Sequence, residues 1–211
     1  PDFLEGLAKE CHAAGCLLVF DEVITGVRVG PGGAQGLYNI KPDLTVLGKI
    51  IGGGLPLAAY GGKRDLMRMI APSGPVYQAG TLSGNPLAVA AGMAVVKALS
   101  EAGSYARLEA LGAQLESGLL EAAKTVGIPL CVNRVGSMLT PFFTEGPVWS
   151  ASDARKSDKE RFKRFFWAMQ ERGIMLAPSP FEAWFLSLAH QGGDVERAVA
   201  AAREVFKKIS K

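Results

Sequence analysis

The sequence predicts an α/β fold: part of a large domain with a mainly parallel sheet over residues 1–100, then a small α+β domain over residues 101–211. Two observations support this prediction. The first half alternates short apolar runs with amphipathic helical segments, the pattern of strands that alternate with helices. The second half mixes short strands with long helices. With 211 residues, the chain is long enough for one large or two small domains.

The individual elements follow from hydrophobic periodicity. In the first half, we expect helices and strands, in chain order, over residues 1–15 (helix), 17–21, 44–47 and 55–60 (strands), and 65–70 (helix). Asn85 is a favourable N-cap and Pro86 a favourable first helical residue, so a helix is predicted from there to residue 99. In the second half, the pattern predicts helices over 105–126, 159–171 and 195–209, and strands over 130–134, 138–143 and 184–188.

Composition excludes two classes of partner. The net charge is +3, from 23 basic and 20 acidic residues, which is too small an excess to indicate nucleic-acid binding. The densest basic run, residues 155–164, is interleaved with acids and is typical of a solvated helix face. No uninterrupted apolar stretch is long enough to cross a bilayer, so no membrane partner is expected.

The three cysteines, Cys11, Cys16 and Cys131, have no metal-ligand spacing and cannot all pair. They favour a reducing compartment, and we expect no metal site. No targeting sequence opens the chain, and its first residue, Pro1, is not an initiator methionine. We therefore expect a fragment or a processed half of a longer protein.

Lys49 lies between an apolar run, residues 44–48, and a glycine-containing stretch, residues 50–54. Desolvation disfavours the ammonium, so a lysine among apolar neighbours is expected to titrate low and to attack carbonyl carbon as the free amine. This is Schiff-base chemistry. The glycines would let a flat ligand approach the backbone closely. The alternative is a lysine that extends to solvent from the end of a buried strand, and the segment alone favours neither interpretation.

Asp21 ends another apolar run, residues 17–20, and so lies at the carboxyl end of a predicted buried strand. Ligands of open α/β sheets bind at this end of the strands. An acid that pairs with a pyridinium nitrogen, together with a lysine that forms an imine, is the protein equipment of pyridoxal phosphate enzymes. A strand-end aspartate is otherwise a helix cap or an ion-pair partner, and only its combination with Lys49 favours a ligand site.

Two further segments have both a functional and an ordinary interpretation. Residues 80–86 contain two glycines, two hydroxyl side chains and the predicted start of a helix. Their backbone N–H groups and hydroxyls could bind a cofactor phosphate. The ordinary interpretation is a capped turn. Glu182 lies beside aromatic and proline residues, which could raise its pKa. An ordinary loop glutamate that reaches solvent is the favoured interpretation. His12 and His190 are typical of surface or core histidines.

Six motifs resemble, in order, those of the glutamate-1-semialdehyde 2,1-aminomutase family, within the class III aminotransferases of the fold-type I pyridoxal phosphate (PLP) enzymes. They are residues 21–23, 25–28, 32–36, 48–54, 74–81 and 181–183. The resemblance covers essentially the whole chain. Residues 33–36 and 74–81 indicate the aminomutases rather than the ornithine or 4-aminobutyrate transaminases.

The resemblance implies a role for each site residue. Lys49 would hold PLP as a Schiff base and move protons, Asp21 would keep the pyridine nitrogen protonated, and Val23 would pack on the ring. Gly80 and Thr81 would bind the cofactor phosphate in the neighbouring subunit, so a homodimer would share its active sites.

The implied reaction converts glutamate-1-semialdehyde to 5-aminolevulinate for tetrapyrrole synthesis, with the pyridoxamine phosphate (PMP) form donating its amine. Glu182 would lie near the active-site entrance. The implied location is the cytoplasm, or the plastid stroma in a photosynthetic eukaryote.

The sequence also departs from the family pattern. Val27 stands where phenylalanine is frequent, and Gln191 where threonine is common. The family's N-terminal half, with its substrate-recognising arginine, main phosphate loop, ring-stacking aromatic residue and gating loop, is absent. This chain alone is therefore not expected to complete an active site. Two alternatives remain: a related class III omega-aminotransferase, or a non-catalytic folded fragment that acts as a dimerising module.

Overall fold

The computed structural model describes residues 2–210, and the chain divides into two compact units between Ser104 and Tyr105. The boundary predicted from the sequence was four residues earlier. Pro1, where the first helix was predicted to begin, and Lys211 lie outside the described residues.

Unit 1, residues 1–104, contains a three-stranded sheet and four α-helices. In chain order the elements are α1 (Phe3–Ala13), β1 (Val19–Glu22), α2 (Gly33–Leu37), β2 (Leu44–Leu47), a 3₁₀ helix (Lys49–Gly52), β3 (Ala59–Gly62), α3 (Arg64–Met67) and α4 (Pro86–Leu99). The strand order is β1-β2-β3. The pair β1–β2 is parallel, as expected, whereas β3 runs antiparallel to β2. The α/β class is confirmed, with a mixed sheet in this chain.

The start of α4 is as predicted. The side-chain oxygen of Asn85 accepts hydrogen bonds from the backbone N–H groups of Leu87, at 3.0 Å, and Ala88, at 3.1 Å, and Pro86 is the first helical residue. The third strand is displaced from its predicted position, residues 55–60, to Ala59–Gly62. At Gly62 the neighbouring backbone of Asp43 and Leu44 leaves no room for a side chain, so a residue with low strand propensity is required there.

Unit 2, residues 105–211, is an α+β unit. Its elements are α5 (Ser104–Thr125, which begins at the last residue of unit 1), β4 (Cys131–Val135), β5 (Met138–Phe142), α6 (Ala151–Ala154), α7 (Lys159–Gln170), β6 (Trp184–Phe185) and α8 (Gly192–Ile209). The strands form an antiparallel sheet in the order β4-β5-β6. Among residues 2–210, three short helical elements differ from the prediction because the sequence pattern gave no helix there: α2, the 3₁₀ helix and α6.

The two units have different cores. In unit 2, apolar residues of α5, α7, α8 and the sheet form one large buried cluster, in which the rings of Phe165 and Phe206 stack with centroids 5.0 Å apart. In unit 1, the buried cluster is small and contains Leu18, Phe20 and Ile40, against which α1 packs. In the described part of the chain, no single helix is both long and apolar enough to cross a membrane; α4 and α5 meet that test only when they are counted together.

Candidate active site

Asp21 and Lys49 lie at the same edge of the sheet in unit 1. Because β1 and β2 are parallel, with Asp21 opposite Val46 and Glu22 opposite Leu47, their carboxyl ends lie side by side. Neighbouring strands are about 4.8 Å apart. Lys49 is two residues beyond Leu47, the last residue of β2. The structure therefore brings the predicted acid and the predicted lysine to one edge, where α/β sheets bind ligands.

The backbone at Lys49 is strained. Its φ angle is 49°, in the left-handed region that side chains other than glycine disfavour. It follows the extended Gly48 and opens the 3₁₀ helix, which ends at Gly53 with a left-handed cap. A non-glycine residue in this conformation costs about 1–2 kcal/mol, and such positions are concentrated at functional sites.

Val23 completes a group of three residues. Its backbone N–H donates to Oδ1 of Asp21 at 3.1 Å. Its side chain lies against Gly48, where a Cβ would come within 3.2 Å of Cγ1 of Val23. Asp21, Val23 and the Gly48–Lys49 peptide are thus neighbours, and Gly48 allows the close approach. The group offers an amine, a carboxylate and an apolar surface, which fit a cofactor with an aldehyde, a ring nitrogen and a flat face.

Lys49 is not enclosed by apolar side chains. Its apolar neighbours in the sequence predict a lysine removed from water, but Lys49 is exposed in this chain, as is Asp21. The physical reason is that the 3₁₀ helix directs Ile51 into the interior, where it is 8% exposed, while Lys49 stays on the outer face. The predicted removal of Lys49 from water is therefore wrong, and both charged groups are accessible from solvent.

Gly80 and Thr81 lie in an exposed turn before α4. Within this turn, the backbone N–H of Ser83 donates to the carbonyl of Gly80 at 2.9 Å. A Cβ at position 80 would lie 2.7 Å from Oγ of Ser83, so a larger residue there would displace that hydroxyl. Among the described residues, no hydrogen bond joins this turn to Asp21 or Lys49, and the phosphate role of Gly80 and Thr81 stays a prediction.

Glu182 belongs to unit 2, in the segment between α7 and β6. Its backbone N–H donates to the carbonyl of Ser179 at 3.2 Å, and its carbonyl accepts from Oγ1 of Thr140 at 3.4 Å. The residue is exposed, as the interpretation of an ordinary loop glutamate requires. Its neighbour Phe181 lies under the ammonium of Lys159, 5.5 Å from the ring centroid. A role at the entrance to an active site stays a prediction.

The sequence reasoning did not assign a role to Glu22, which is 1% exposed. Its carboxylate accepts three hydrogen bonds: from Oγ1 of Thr25 at 2.6 Å, and from the backbone N–H groups of Ala34 and Gln35, both at 2.8 Å. The last two belong to the first turn of α2. Strand alternation was the available signal, because it directs Glu22 to the face opposite that of Asp21.

A second buried carboxylate, Asp43, precedes β2 at the amino ends of the strands. Its Oδ2 accepts from the backbone N–H of Leu18 at 2.6 Å, and its Oδ1 pairs with Nζ of Lys63 at 2.5 Å. The hydrogen bond from Lys63, followed by that from Leu18, lowers the pKa of Asp43 below its usual value. The described residues contain no group of three or more His, Cys, Asp or Glu that could hold a metal ion.

Close relatives are found among known sequences. Glutamate-1-semialdehyde 2,1-aminomutase 2 of Brevibacillus brevis is 55% identical over 211 residues, which are 100% of this chain and 49% of the relative. Glutamate-1-semialdehyde 2,1-aminomutase of Thermus thermophilus is 59% identical over 206 residues, covering 97% of this chain and 48% of the relative. The chain thus spans about half the length of these relatives.

Solved structures of related enzymes also match this chain over about half of their length. An omega-transaminase from Sphaerobacter thermophilus superposes with a TM-score of 0.89 at 32% identity, covering 100% of this chain and 48% of that protein. A glutamate-1-semialdehyde aminomutase variant from Pseudomonas aeruginosa, in complex with PMP, has a TM-score of 0.86 at 25% identity, with coverage of 99% and 48%. The sequence model of the class-III aminotransferases matches residues 1–182. The chain belongs to the class-III aminotransferase family.

Proposed function

We propose that this chain is the cofactor-lysine portion of a PLP-dependent aminomutase that converts glutamate-1-semialdehyde to 5-aminolevulinate. The observation that carries the proposal is the strained Lys49 at the same sheet edge as Asp21, where two parallel strands end. Relatives at 55–59% identity with the aminomutase name support the substrate. Because the chain spans about half of each relative, the activity belongs to the whole protein.

Each residue has a distinct task in this proposal. The amine of Lys49 holds the cofactor aldehyde and carries protons between cofactor and substrate atoms. The carboxylate of Asp21 accepts a hydrogen bond from the protonated ring nitrogen, and Val23 packs against the ring. Bound PLP supplies an electron sink for the carbon from which a proton is removed. Exposed Asp21 and Lys49 are both within reach of a ligand, as these tasks require.

Borohydride reduction with PLP tests the assignment of Lys49. Reduction converts an imine to a stable amine, and peptide mass mapping then locates the pyridoxyl group. We expect label on Lys49 in the wild type and its loss in Lys49→Ala. Lys41→Ala is the matched control, since Lys41 is exposed three residues before Leu44, where β2 begins. In the whole protein, label spread over surface lysines, or equal label in both variants, would exclude Lys49 as the cofactor lysine.

The second candidate is a class III omega-aminotransferase, which exchanges amines with an external keto acid. The higher TM-score of the omega-transaminase, 0.89 against 0.86, favours it. Supplying glutamate-1-semialdehyde without any amine donor or acceptor separates the two. An aminomutase turns over repeatedly under these conditions, whereas an aminotransferase stops after one half-reaction. A protein that takes up no cofactor would instead support the third candidate, a non-catalytic dimerising module.

We also propose a homodimer in which Gly80 and Thr81 bind the phosphate of the neighbouring subunit's cofactor. The exposed turn at Gly80, and the apolar side chains of Leu87 and Met93 that α4 exposes nearby in the chain, support an interface in this region. Three free cysteines support a reducing compartment, which we propose to be the cytoplasm or a plastid stroma.

Subunit complementation tests the shared site. Lys49→Ala and Thr81→Val proteins, each of low activity, are unfolded together and refolded as a mixture. A mixed dimer then has one site with both native residues, so about a quarter of wild-type activity should return, because about half of the dimers are mixed and half of their sites are intact. No recovery, with mixed dimers present by mass spectrometry, would place Thr81 in the same subunit's site or outside it.

A further inference from the structure

Glu22 is the most buried charged residue in the described chain, and the cofactor chemistry proposed above does not use it. Burying a carboxylate without partners is costly, so a buried glutamate is retained only with several hydrogen bonds. The three bonds to Glu22 come from Thr25, Ala34 and Gln35. These residues, with Gly33, form what we call the Glu22 clasp.

The clasp is closely packed from both sides. Gly33 has a φ angle of +62°, and a Cβ there would lie 2.4 Å from Oε2 of Glu22, so only glycine lets the chain pass this close. α2 has only five residues, too few for a helix that is stable by itself. The carboxylate at its first turn supplies acceptors for N–H groups that would otherwise lack partners.

The clasp also reaches β2. The side-chain oxygen of Gln35, whose N–H binds Glu22, accepts from Oγ1 of Thr45 on β2 at 3.3 Å. On the other side of the clasp, Gly26 lies so close to β2 that a Cβ would come within 2.4 Å of Leu47. The segment that Glu22 holds is therefore in contact with β2, the strand that pairs with β1 and ends two residues before Lys49.

We propose that Glu22 is a positioning residue: by holding residues 25–35 against the ends of β1 and β2, its carboxylate fixes the directions in which Asp21 and Lys49 meet the cofactor. The proposal rests on the proposed function for the identity of that ligand. Adjacent residues of one strand thus have different roles, because their side chains point to opposite faces: Asp21 would bind the ligand, and Glu22 would hold the supporting segment. A supporting shell of this kind is what holds catalytic groups in place.

The test compares two buried carboxylates of unit 1. Glu22→Gln keeps the shape of the side chain. Because both carboxylate oxygens of Glu22 accept a hydrogen bond from a backbone N–H, the amide N–H₂ of glutamine would face one of these donors in either orientation. Asp43→Asn is the matched control: it weakens a similar buried network at the amino ends of the same strands. Thr25→Val is a milder variant that removes one of the three bonds, should Glu22→Gln fail to fold.

Three quantities are measured for each purified variant: the melting temperature, the dissociation constant for PLP from absorbance titration, and the exchange rate of the Val23 amide in cofactor-free protein. We expect Glu22→Gln to weaken PLP binding about tenfold and to speed Val23 exchange, and Thr25→Val to do both to a smaller extent. Asp43→Asn should lower the melting temperature but leave both other quantities within about twofold of wild type.

The possible outcomes separate the two proposals. Equal effects of Glu22→Gln and Asp43→Asn on PLP binding and Val23 exchange would overturn the positioning role and leave the proposed function standing. An unchanged PLP constant in both Glu22→Gln and Thr25→Val would do the same. Absence of PLP uptake at Lys49 in the wild-type whole protein would overturn the proposed function, and the positioning proposal with it.

Discussion

The two units of this chain are held together by different kinds of interaction. Unit 2 buries a continuous apolar cluster that includes Phe165 and Phe206. Unit 1 has a small apolar cluster, but it contains both nearly inaccessible carboxylates, Glu22 and Asp43. All the described non-glycine residues with positive φ also lie in unit 1: Asp2, Val27, Asn39 and Lys49.

This difference matches the division of tasks proposed for the chain. A binding site needs particular side chains in particular directions. Buried charged groups and strained backbone conformations provide them, and both lower the stability of the fold unless other interactions offset their cost. Apolar packing in unit 2 places no such demand on its residues. The structure therefore predicts that substitutions in unit 2 act mainly on stability, whereas those at the sheet edge of unit 1 act mainly on cofactor binding.

The largest effect on stability is expected from Phe165→Ala in unit 2. Phe165 is 1% exposed and stacks on Phe206, so its truncation should lower the free energy of unfolding by about 3–5 kcal/mol. All three tryptophans, Trp149, Trp167 and Trp184, are in unit 2, so tryptophan fluorescence during urea unfolding follows that unit.

Phe20→Ala, in the small cluster of unit 1, is the comparison for Phe165→Ala. It should leave the fluorescence transition in place and alter the helical signal in circular dichroism instead. Below its unfolding transition, Phe165→Ala should still take up the pyridoxyl label at Lys49. Loss of that label in folded protein would show that the two units do not divide the tasks in this way.

Local sequence signals predicted the elements whose structure is determined locally. Asn85 and Pro86 gave the start of α4 to the residue, because a cap depends only on its neighbours in the chain. The helix α2 was missed because its sequence, rich in glycine, has low helix propensity, and the partner that stabilises it, Glu22, is eleven residues before its first residue. The end of β3 was missed for a similar reason. Glycine has low strand propensity, but at position 62 it is required because the backbone of Asp43 leaves no room for a Cβ.

The candidate site could likewise be predicted only where it depends on residues that are neighbours in the sequence or on the pairing of strands. Asp21 and Lys49 could be found because a charged residue directly after an apolar run is visible in the sequence. Their approach to each other follows from the parallel pairing of β1 and β2, which the α/β pattern predicts. The exposure of Lys49 could not be found, because it depends on the direction of one turn of 3₁₀ helix, which sets Lys49 outward and Ile51 inward.

Acid should weaken unit 1 through Asp43. Because the pKa of Asp43 is lowered in the folded protein, the ionised carboxylate stabilises the fold at pH values above the unfolded pKa, near 3.8, and this contribution disappears as the pH falls through the folded pKa. Asp43→Asn should therefore be less stable than wild type at pH 7, and the difference in melting temperature should shrink below about pH 4. A difference that stays constant down to pH 2 would contradict the assignment.

Asp153 in unit 2 offers a control for the acid response. Hydrogen bonds from Lys156, then Ser150 and the Trp149 backbone, lower its pKa to about 2. The sign is the same as for Asp43, so its contribution is lost between about pH 4 and pH 2. Asp153 lies at the surface, however, where ion pairs contribute little, and Asp153→Asn should change the melting temperature less than Asp43→Asn does at pH 7.

The smallest expected effect is also the most specific to the site: Lys49→Gly should make the protein more stable while abolishing the label. Glycine adopts a φ angle of 49° without the steric cost that lysine meets, and the gain is partly offset by the greater freedom of glycine in the unfolded chain. The net gain should be up to about 1 kcal/mol relative to Lys49→Ala, which keeps the strain but lacks the amine.

Lys41 lies three residues before β2 and has no positive φ angle. Lys41→Gly should therefore lose stability, because glycine there only increases the conformational freedom of the unfolded chain. Urea unfolding of the glycine and alanine variants measures the difference. If Lys49→Gly and Lys49→Ala unfold at the same urea concentration, the left-handed backbone stores no energy at the site. If glycine is the more stable, the chain keeps a lysine there against its own stability, as expected for a residue retained for chemistry.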